Sequence, residues 1–138
     1  MARPIRALID LEAVVGNCRL GAELAPEART LAVVKADGYG HGAVEVARTL
    51  AEQADGFGVA SLEGALALRR AGIDNRIVLM AGFFAADELP ELAHHRLDTV
   101  VHCPEQLETL LAAGLDGPLR VWLKMDTGMH RLGLAPES

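Results

Sequence analysis

Short apolar runs alternate with segments of helical periodicity along almost the whole chain. Ile5 to Ile9 reads as a strand, and Asp10 stands where a helix from Leu11 to about Leu24 needs an N-cap acceptor. Leu31 to Lys35 (LAVVK) is a β-branched apolar run that stops at the turn signal Asp37-Gly38. The pattern then predicts a helix over Ala43 to Gln53, a strand over Gly56 to Ala60, and a helix over Leu62 to Ala71. Ser61 is placed to cap that last helix and Gly72 to end it. A strand at Ile77 to Met80, a helix at Ala85 to Ala93 and a strand at Asp98 to Val101 follow. Pro104 suits the first turn of a helix running to Ala113, which Gly114 ends, and Leu119 to Lys124 (LRVWLK) is the last strand.

Continuous apolar strands separated by helices of ten or so residues imply an α/β fold with a parallel sheet under helices. The pattern alone leaves two architectures open, a (β/α)₈ TIM barrel and a doubly wound open sheet. Five strands follow from Leu31 onward, whereas a barrel needs eight and ~250 residues. A barrel would therefore be partial, with unpaired edges and bare apolar surface, and such a chain is expected to fold poorly alone.

Composition narrows the partners. With 51% hydrophobic and 23% charged residues in 138, the chain can bury the core of one domain. A net charge of −6, with no basic run longer than Arg69-Arg70, argues against a nucleic-acid partner. Two widely separated cysteines, Cys18 and Cys103, fit a reducing cytoplasm better than a disulfide framework. Asp10 and Glu12 interrupt the opening apolar run before a signal sequence could form, and no stretch approaches membrane-spanning length. The expectation is a soluble cytoplasmic protein without a membrane partner.

Two segments carry candidate chemistry. In VVKADGYGHG (residues 33–42), Lys35 ends an apolar strand, and the carboxyl ends of parallel strands are where active sites sit in either architecture. A lysine that is partly desolvated there becomes a nucleophile suited to condensing with an aldehyde. A strand-end lysine that merely reaches solvent is the equally weighted alternative. Gly38, Gly40 and Gly42 would let backbone amides approach a phosphate, although the same glycines also make a plain turn. Tyr39, the only tyrosine, could donate to that phosphate or sit at the edge of the core. His41 reads more readily as a helix-entry residue than as an acid or base.

In WLKMDTGMHRLG (residues 122–133) a strand again ends in lysine, Lys124, followed by Asp126, Thr127, Gly128, His130 and Arg131. The planar fork of Arg131 could pair with a carboxylate or a phenolic oxygen. Two lysines ending two strands of one sheet would crowd one mouth with like charge, so one of them needs a neutralising device. His94, His95, His102 and Cys103 match no metal-ligand spacing, and no metal is expected.

AVVKADGYGHG resembles the pyridoxal-phosphate lysine signature of alanine racemases, and VWLKMDTGMHRLG is similar to that family's second block. RALIDLEAVVGN, FGVASLEGALALRRAGI and AGFF fit the same register, so the resemblance covers the whole chain. One departure is Ala81, where close relatives often carry glutamate. The resemblance implies a pyridoxal 5′-phosphate-binding barrel over residues 11–138. It also implies that residues 1–10 form a strand belonging to a C-terminal β domain, and that the protein is a homodimer acting on alanine. It makes Lys35 both the cofactor lysine and the base on one face of the substrate, and Tyr39 a donor to the cofactor phosphate. Arg131 becomes the contact to the phenolic oxygen of the cofactor and to the substrate carboxylate. Lys124 matches a lysine often carbamylated in the family, which would turn its charge negative and orient Arg131. The opposite-face base, a tyrosine of the partner subunit in the family, matches no residue here, so the chain alone is expected to have negligible racemase activity. The alternatives are a single-domain pyridoxal-phosphate homeostasis protein of the same barrel class and a nucleotide-binding module using GYGHG as a phosphate loop.

Overall fold

The computed structural model describes residues 4–136. Its elements in chain order are α1 (Leu11–Leu24), β1 (Leu31–Val33), a short helical turn α2 (Lys35–Tyr39), α3 (Ala43–Leu50), β2 (Gly56–Val59), α4 (Leu62–Arg70) and β3 (Arg76–Leu79). A 3₁₀ turn at Ala86–Glu88 leads into α5 (Leu89–His94), followed by β4 (Asp98–Val101), α6 (Pro104–Ala112) and β5 (Val121–Leu123). The five strands form one sheet in the order β1-β2-β3-β4-β5, and every neighbouring pair is parallel. A doubly wound sheet reverses its strand order at a switch point. An unbroken sequential order is that of a (β/α) barrel wall, which decides between the two architectures.

The ladder register sorts side chains into two faces, because residues in one row of a parallel sheet point the same way. Phe57, Val59, Ile77, Leu79, Thr99 and Val101 face outward, all at 2% exposure or less. The outer core packs Phe57, Val59, Ile77 and Leu79 with Val46, Ala47 and Leu50 of α3, Ala65 and Leu68 of α4, and Leu89 and Leu92 of α5. Each such Leu, Ile or Phe stabilises the layer by about 1.5–3 kcal/mol. Leu31, Val33, Gly56, Gly58, Arg76, Val78, Asp98, Val100 and Trp122 occupy the alternate rows and face the interior of the wall.

Local signals explain most boundaries. The Asp10 side chain accepts from the Ala13 amide at 3.0 Å and so starts α1; Pro104 opens α6; Gly72 and Gly114 take positive φ where α4 and α6 end. Ser61 holds the N-cap position of α4 with an extended backbone, but its hydroxyl bonds no helix amide. At the amino-terminal end of the wall, the Arg69 guanidinium donates to the carbonyls of Ile73 (2.6 Å), Asn75 (2.7 Å), His95 (2.9 Å) and Arg96 (3.1 Å), tying two loops together.

One expected element does not form. Residues 5–9 run without a ladder partner, with Ile5 78% and Leu8 91% exposed. An apolar run is extended by its own preferences but becomes a strand only when a neighbour completes its hydrogen bonds, and no described strand lies beside this one. Of the segment 1–10 assigned to another domain, residues 1–3 lie outside the described residues.

Candidate active site

Both candidate lysines sit where two ladders end. Past β1 the Val34 amide still donates to the Gly58 carbonyl at 2.9 Å, and past β5 the Lys124 amide donates to Val101 at 2.9 Å. Val34 belongs to the outer core, and Lys35, half-buried, opens the turn α2 immediately after it. Lys124 follows Trp122 on the same inner face. Although β1 and β5 are the edges of the sheet, the wall curls enough for Leu31 and Trp122 to line one recess of about 390 Å³. Val78, Met80, Val100 and Lys124 also line it, whereas Lys35 lies outside its lining. On β2 the inner face is glycine alone, and a Cβ on Gly58 would lie 2.6 Å from the Met80 sulfur.

The turn after Lys35 is left-handed. Ala36 (φ 51°), Asp37 (54°), Gly38 (62°) and Tyr39 (57°) all have positive φ, a conformation that costs a side-chain-bearing residue roughly 1–2 kcal/mol. Such a run persists only where its surroundings over-determine it. The Gly38 amide donates to Val34 at 2.9 Å, and Gly42 donates to Asp37 at 2.9 Å. The Asp37 carboxylate accepts from the Ala43 amide at 2.9 Å, capping α3 from six residues upstream. His41 places ring Nδ1 2.9 Å from the Gly38 carbonyl, which also accepts the His41 amide at 3.1 Å. A carbonyl only accepts, so that nitrogen carries the proton, and His41 braces the turn. Tyr39 is 60% exposed, its ring standing clear of the core at the mouth.

The second loop is closed at its base by two ladder-like bonds, Leu134 amide to Lys124 carbonyl and Asp126 amide to Leu134 carbonyl, both 2.8 Å. Gly133 makes this closure possible, since a Cβ there would lie 2.6 Å from the Asp126 amide nitrogen. Within the loop the Asp126 carboxylate accepts the amides of Gly128 and His130 and ring Nδ1 of His130, each at 3.0 Å. The backbone donors His130 and then Gly128 hold this carboxyl below its ordinary value of 3.8. A depressed carboxyl adds loop stability that is fully present above its unfolded value and is lost as pH falls through the folded one. The Gly128 and His130 amide protons are therefore expected to lose exchange protection with a midpoint below 3.8, and Asp126→Asn should remove that transition. Amide exchange followed by NMR against pH checks this; protection that persists in protonated chain would contradict it.

Two further residues organise the wall without having stood out in the sequence, Gln106 at the mouth and Asp98 at the amino-terminal end of β4. Gln106 accepts from the His102 amide at 3.0 Å and donates to the Phe83 carbonyl at 3.0 Å, clamping the loops that leave β3 and β4. Asp98, 4% exposed on the inner face, accepts from the indole of Trp122 at 2.8 Å and lies 3.6 Å from Arg76 and 3.7 Å from Arg120. The carboxylate thus fixes β5 against β3 and β4, two residues before Lys124. Lys35, Lys124 and Arg131 enter no ion pair among the described residues. Of these three cations only Lys124 lines the apolar recess; Lys35 and Arg131 stand on the loops that follow β1 and β5. Among the described residues no cluster of His, Cys, Asp and Glu could hold a metal ion, and no helix is long and apolar enough to cross a membrane. His94 and His95 stack edge-to-face at 4.8 Å, and His95 lies 3.3 Å from Glu91.

Comparison with known proteins places this geometry. The family model "Alanine racemase, N-terminal domain" matches residues 9–138. A protein of Pseudomonas aeruginosa named "Alanine racemase, catabolic" is 57% identical over 135 residues, covering 98% of this chain and 38% of that protein. The alanine racemase of Pectobacterium carotovorum is 54% identical over 131 residues, 95% of this chain and 36% of its own length. Among solved structures, the biosynthetic alanine racemase of P. aeruginosa superposes with a TM-score of 0.90 at 50% identity, over 94% of this chain and 36% of that one. The E. faecalis alanine racemase gives 0.82 at 41% identity, over 91% of this chain and 35% of that one. The chain spans a little over a third of the length of these relatives.

Proposed function

Because the chain belongs to the alanine racemase family through its N-terminal domain, we propose that it supplies the cofactor-binding part of an alanine racemase. The substrate is alanine, interconverted between its L and D forms for peptidoglycan precursors or for alanine catabolism, and the cofactor is pyridoxal 5′-phosphate. The observation that carries this reading is that Lys35 and Lys124 both follow the carboxyl ends of parallel strands of one wall, Lys124 lining an apolar recess, with neither lysine nor Arg131 in an ion pair among the described residues. A cofactor bearing an aldehyde, a phosphate and a phenolic oxygen needs an amine, an anion-binding rim and an apolar bed, and these residues offer each.

Lys35 would hold the cofactor covalently, with Tyr39 donating to its phosphate and Arg131 to its phenolic oxygen. When bound, the cofactor supplies an electron sink for charge developing at the substrate Cα. Inverting a stereocentre requires proton removal on one face and delivery on the other, so two acid/base groups must flank that carbon. The Lys35 amine holds the proton on one face. In this reading the other face belongs to a group from a partner subunit in a homodimer. Arg131 grips the substrate carboxylate and fixes which hydrogen faces Lys35. Carbamylation of Lys124 would replace a cation by an anion beside Arg131, relieving the repulsion between the two lysines and orienting the guanidinium. The exposed apolar side chains of Ile5 and Leu8 suit pairing of residues 1–10 with a β domain.

The test is direct. Pyridoxal phosphate added to the chain should produce a new visible absorbance band, and borohydride reduction should leave a permanent mass gain on the peptide containing Lys35. A mass gain on any other lysine, or none at all, overturns the reading.

A further inference from the structure

We propose that Asp126 and His130 form a positioning pair that aims Arg131 into the mouth beside Lys124. The inference rests on the role given above to Arg131. The loop from Lys124 to Leu134 is pinned at its base by the two 2.8 Å backbone bonds between residues 124, 126 and 134. Its free end carries Arg131, which takes part in no ion pair of its own. What sets the direction of Arg131 is the residue before it, and His130 lies in the left-handed region at φ 56°.

Glycine would take that conformation without strain, yet the chain places histidine there. Two restraints oppose the strain and both end on one carboxylate. The His130 amide reaches Asp126 Oδ1 and the His130 ring Nδ1 reaches Oδ2, each at 3.0 Å. The imidazole is 83% exposed while the Asp126 side chain is 17% exposed, so the ring is not held for burial. An exposed His–Asp pair adds little to global stability. Its effect is local: it closes the ring of atoms from Asp126 to His130 and removes the backbone freedom that would let Arg131 swing. A guanidinium whose backbone is already fixed loses less entropy on gripping a carboxylate or phenolic oxygen.

Substitutions at His130 separate the hydrogen bond from the strain. In His130→Asn the amide nitrogen is attached to Cγ as Nδ1 is, so it can donate to Asp126, and asparagine tolerates positive φ. His130→Gly relieves the strain but removes the donor, and His130→Ala removes the donor and keeps the strain. Pyridoxal phosphate affinity is read from the visible band and from quenching of Trp122, the only tryptophan, which lines the recess. His130→Gly and His130→Ala are expected to weaken binding about tenfold, the ordering cost that Arg131 then carries on binding. His130→Asn should bind as the wild type does, with the melting temperature unchanged in all three. Wild-type affinity in His130→Gly, or equal weakening in all three, overturns the pair. The order parameter of the Arg131 amide, measured by ¹⁵N relaxation without ligand, gives an independent reading. It should fall in the Gly and Ala variants and hold in the Asn variant. If the wild type takes up no pyridoxal phosphate, the cofactor reading fails. The order parameters then decide the positioning pair alone, and equal order in wild type and His130→Gly overturns it.

Discussion

Lys35→Ala is expected to abolish the visible band formed with pyridoxal phosphate and to reduce racemisation in the complete enzyme by at least about 10³-fold. The variant removes two functions at once, the covalent tether and the proton carrier on one face of the substrate, and general acid–base groups alone contribute about 10²–10⁴. The fold should survive, because Lys35 contributes nothing to the outer core and makes no ion pair among the described residues whose loss would strand a buried charge. Lys35→Arg sharpens the test. It preserves the cation at the rim but cannot condense with an aldehyde, so it should retain weak, bandless cofactor binding while matching Lys35→Ala in activity. Equal affinity of Lys35→Arg and wild type for pyridoxal phosphate would mean that charge alone holds the cofactor. Retention of the band in Lys35→Ala would place the reactive amine elsewhere, with Lys124 the first candidate.

How much of this was legible beforehand depends on the range of the interaction. Asp10 before Leu11, Pro104 at the start of α6 and Gly72 after α4 act on neighbours a few residues away, and their signals in the sequence matched the structure. The strand-end position of Lys35 was legible for the same reason, since the apolar run LAVVK stops at it. The left-handed turn was not. Gly38, Gly40 and Gly42 advertise a turn, but Ala36, Asp37 and Tyr39 have side chains that disfavour positive φ. They are held there by the Asp37 carboxylate on Ala43 and the His41 ring on Gly38, contacts that no periodicity reveals. Gln106 and Asp98 act over about 25 residues of chain, through a strand adjacency that has to be known first. Ile5 to Ile9 shows the converse limit: its apolar pattern describes an extended segment, and among the described residues no strand lies beside it to complete a ladder.

The like-charge problem posed by Lys35 and Lys124 also changes form once the geometry is known. The two lysines end the opposite edges of the sheet, β1 and β5, and the curl of the wall brings those edges to one recess. Asp98 holds β5 in place from the row below through Trp122, so its negative charge is spent on Arg76, Arg120 and the indole rather than on Lys124. Asp98 therefore leaves Lys124 without a carboxylate partner among the described residues.

Gly82→Ala is expected to destabilise the chain by about 3 kcal/mol, lowering its melting temperature by about 10 °C, whereas Gly72→Ala should cost only the backbone strain of about 1–2 kcal/mol. The two glycines have nearly the same backbone, φ 78° and 82°, so the strain of adding a Cβ in the left-handed region is common to both. Their surroundings differ. Nothing lies within 4 Å of a Cβ on Gly72, while one on Gly82 would lie 2.5 Å from the carbonyl oxygen of Val100 and collide with the Gln106 amide. The Gln106 side chain could swing away, but only by giving up its bonds to Phe83 and His102, and the Val100 carbonyl belongs to β4, a central strand that cannot yield without moving its neighbours. Overpacking of this kind costs about 1–3 kcal/mol beyond the strain. Thermal or guanidinium unfolding of the pair measures the difference. Equal shifts would show that the β3 exit loop stands farther from β4 in solution than this packing requires. The larger shift at Gly82 would mean that the β3 exit loop packs against the Val100 carbonyl as closely as the geometry shows.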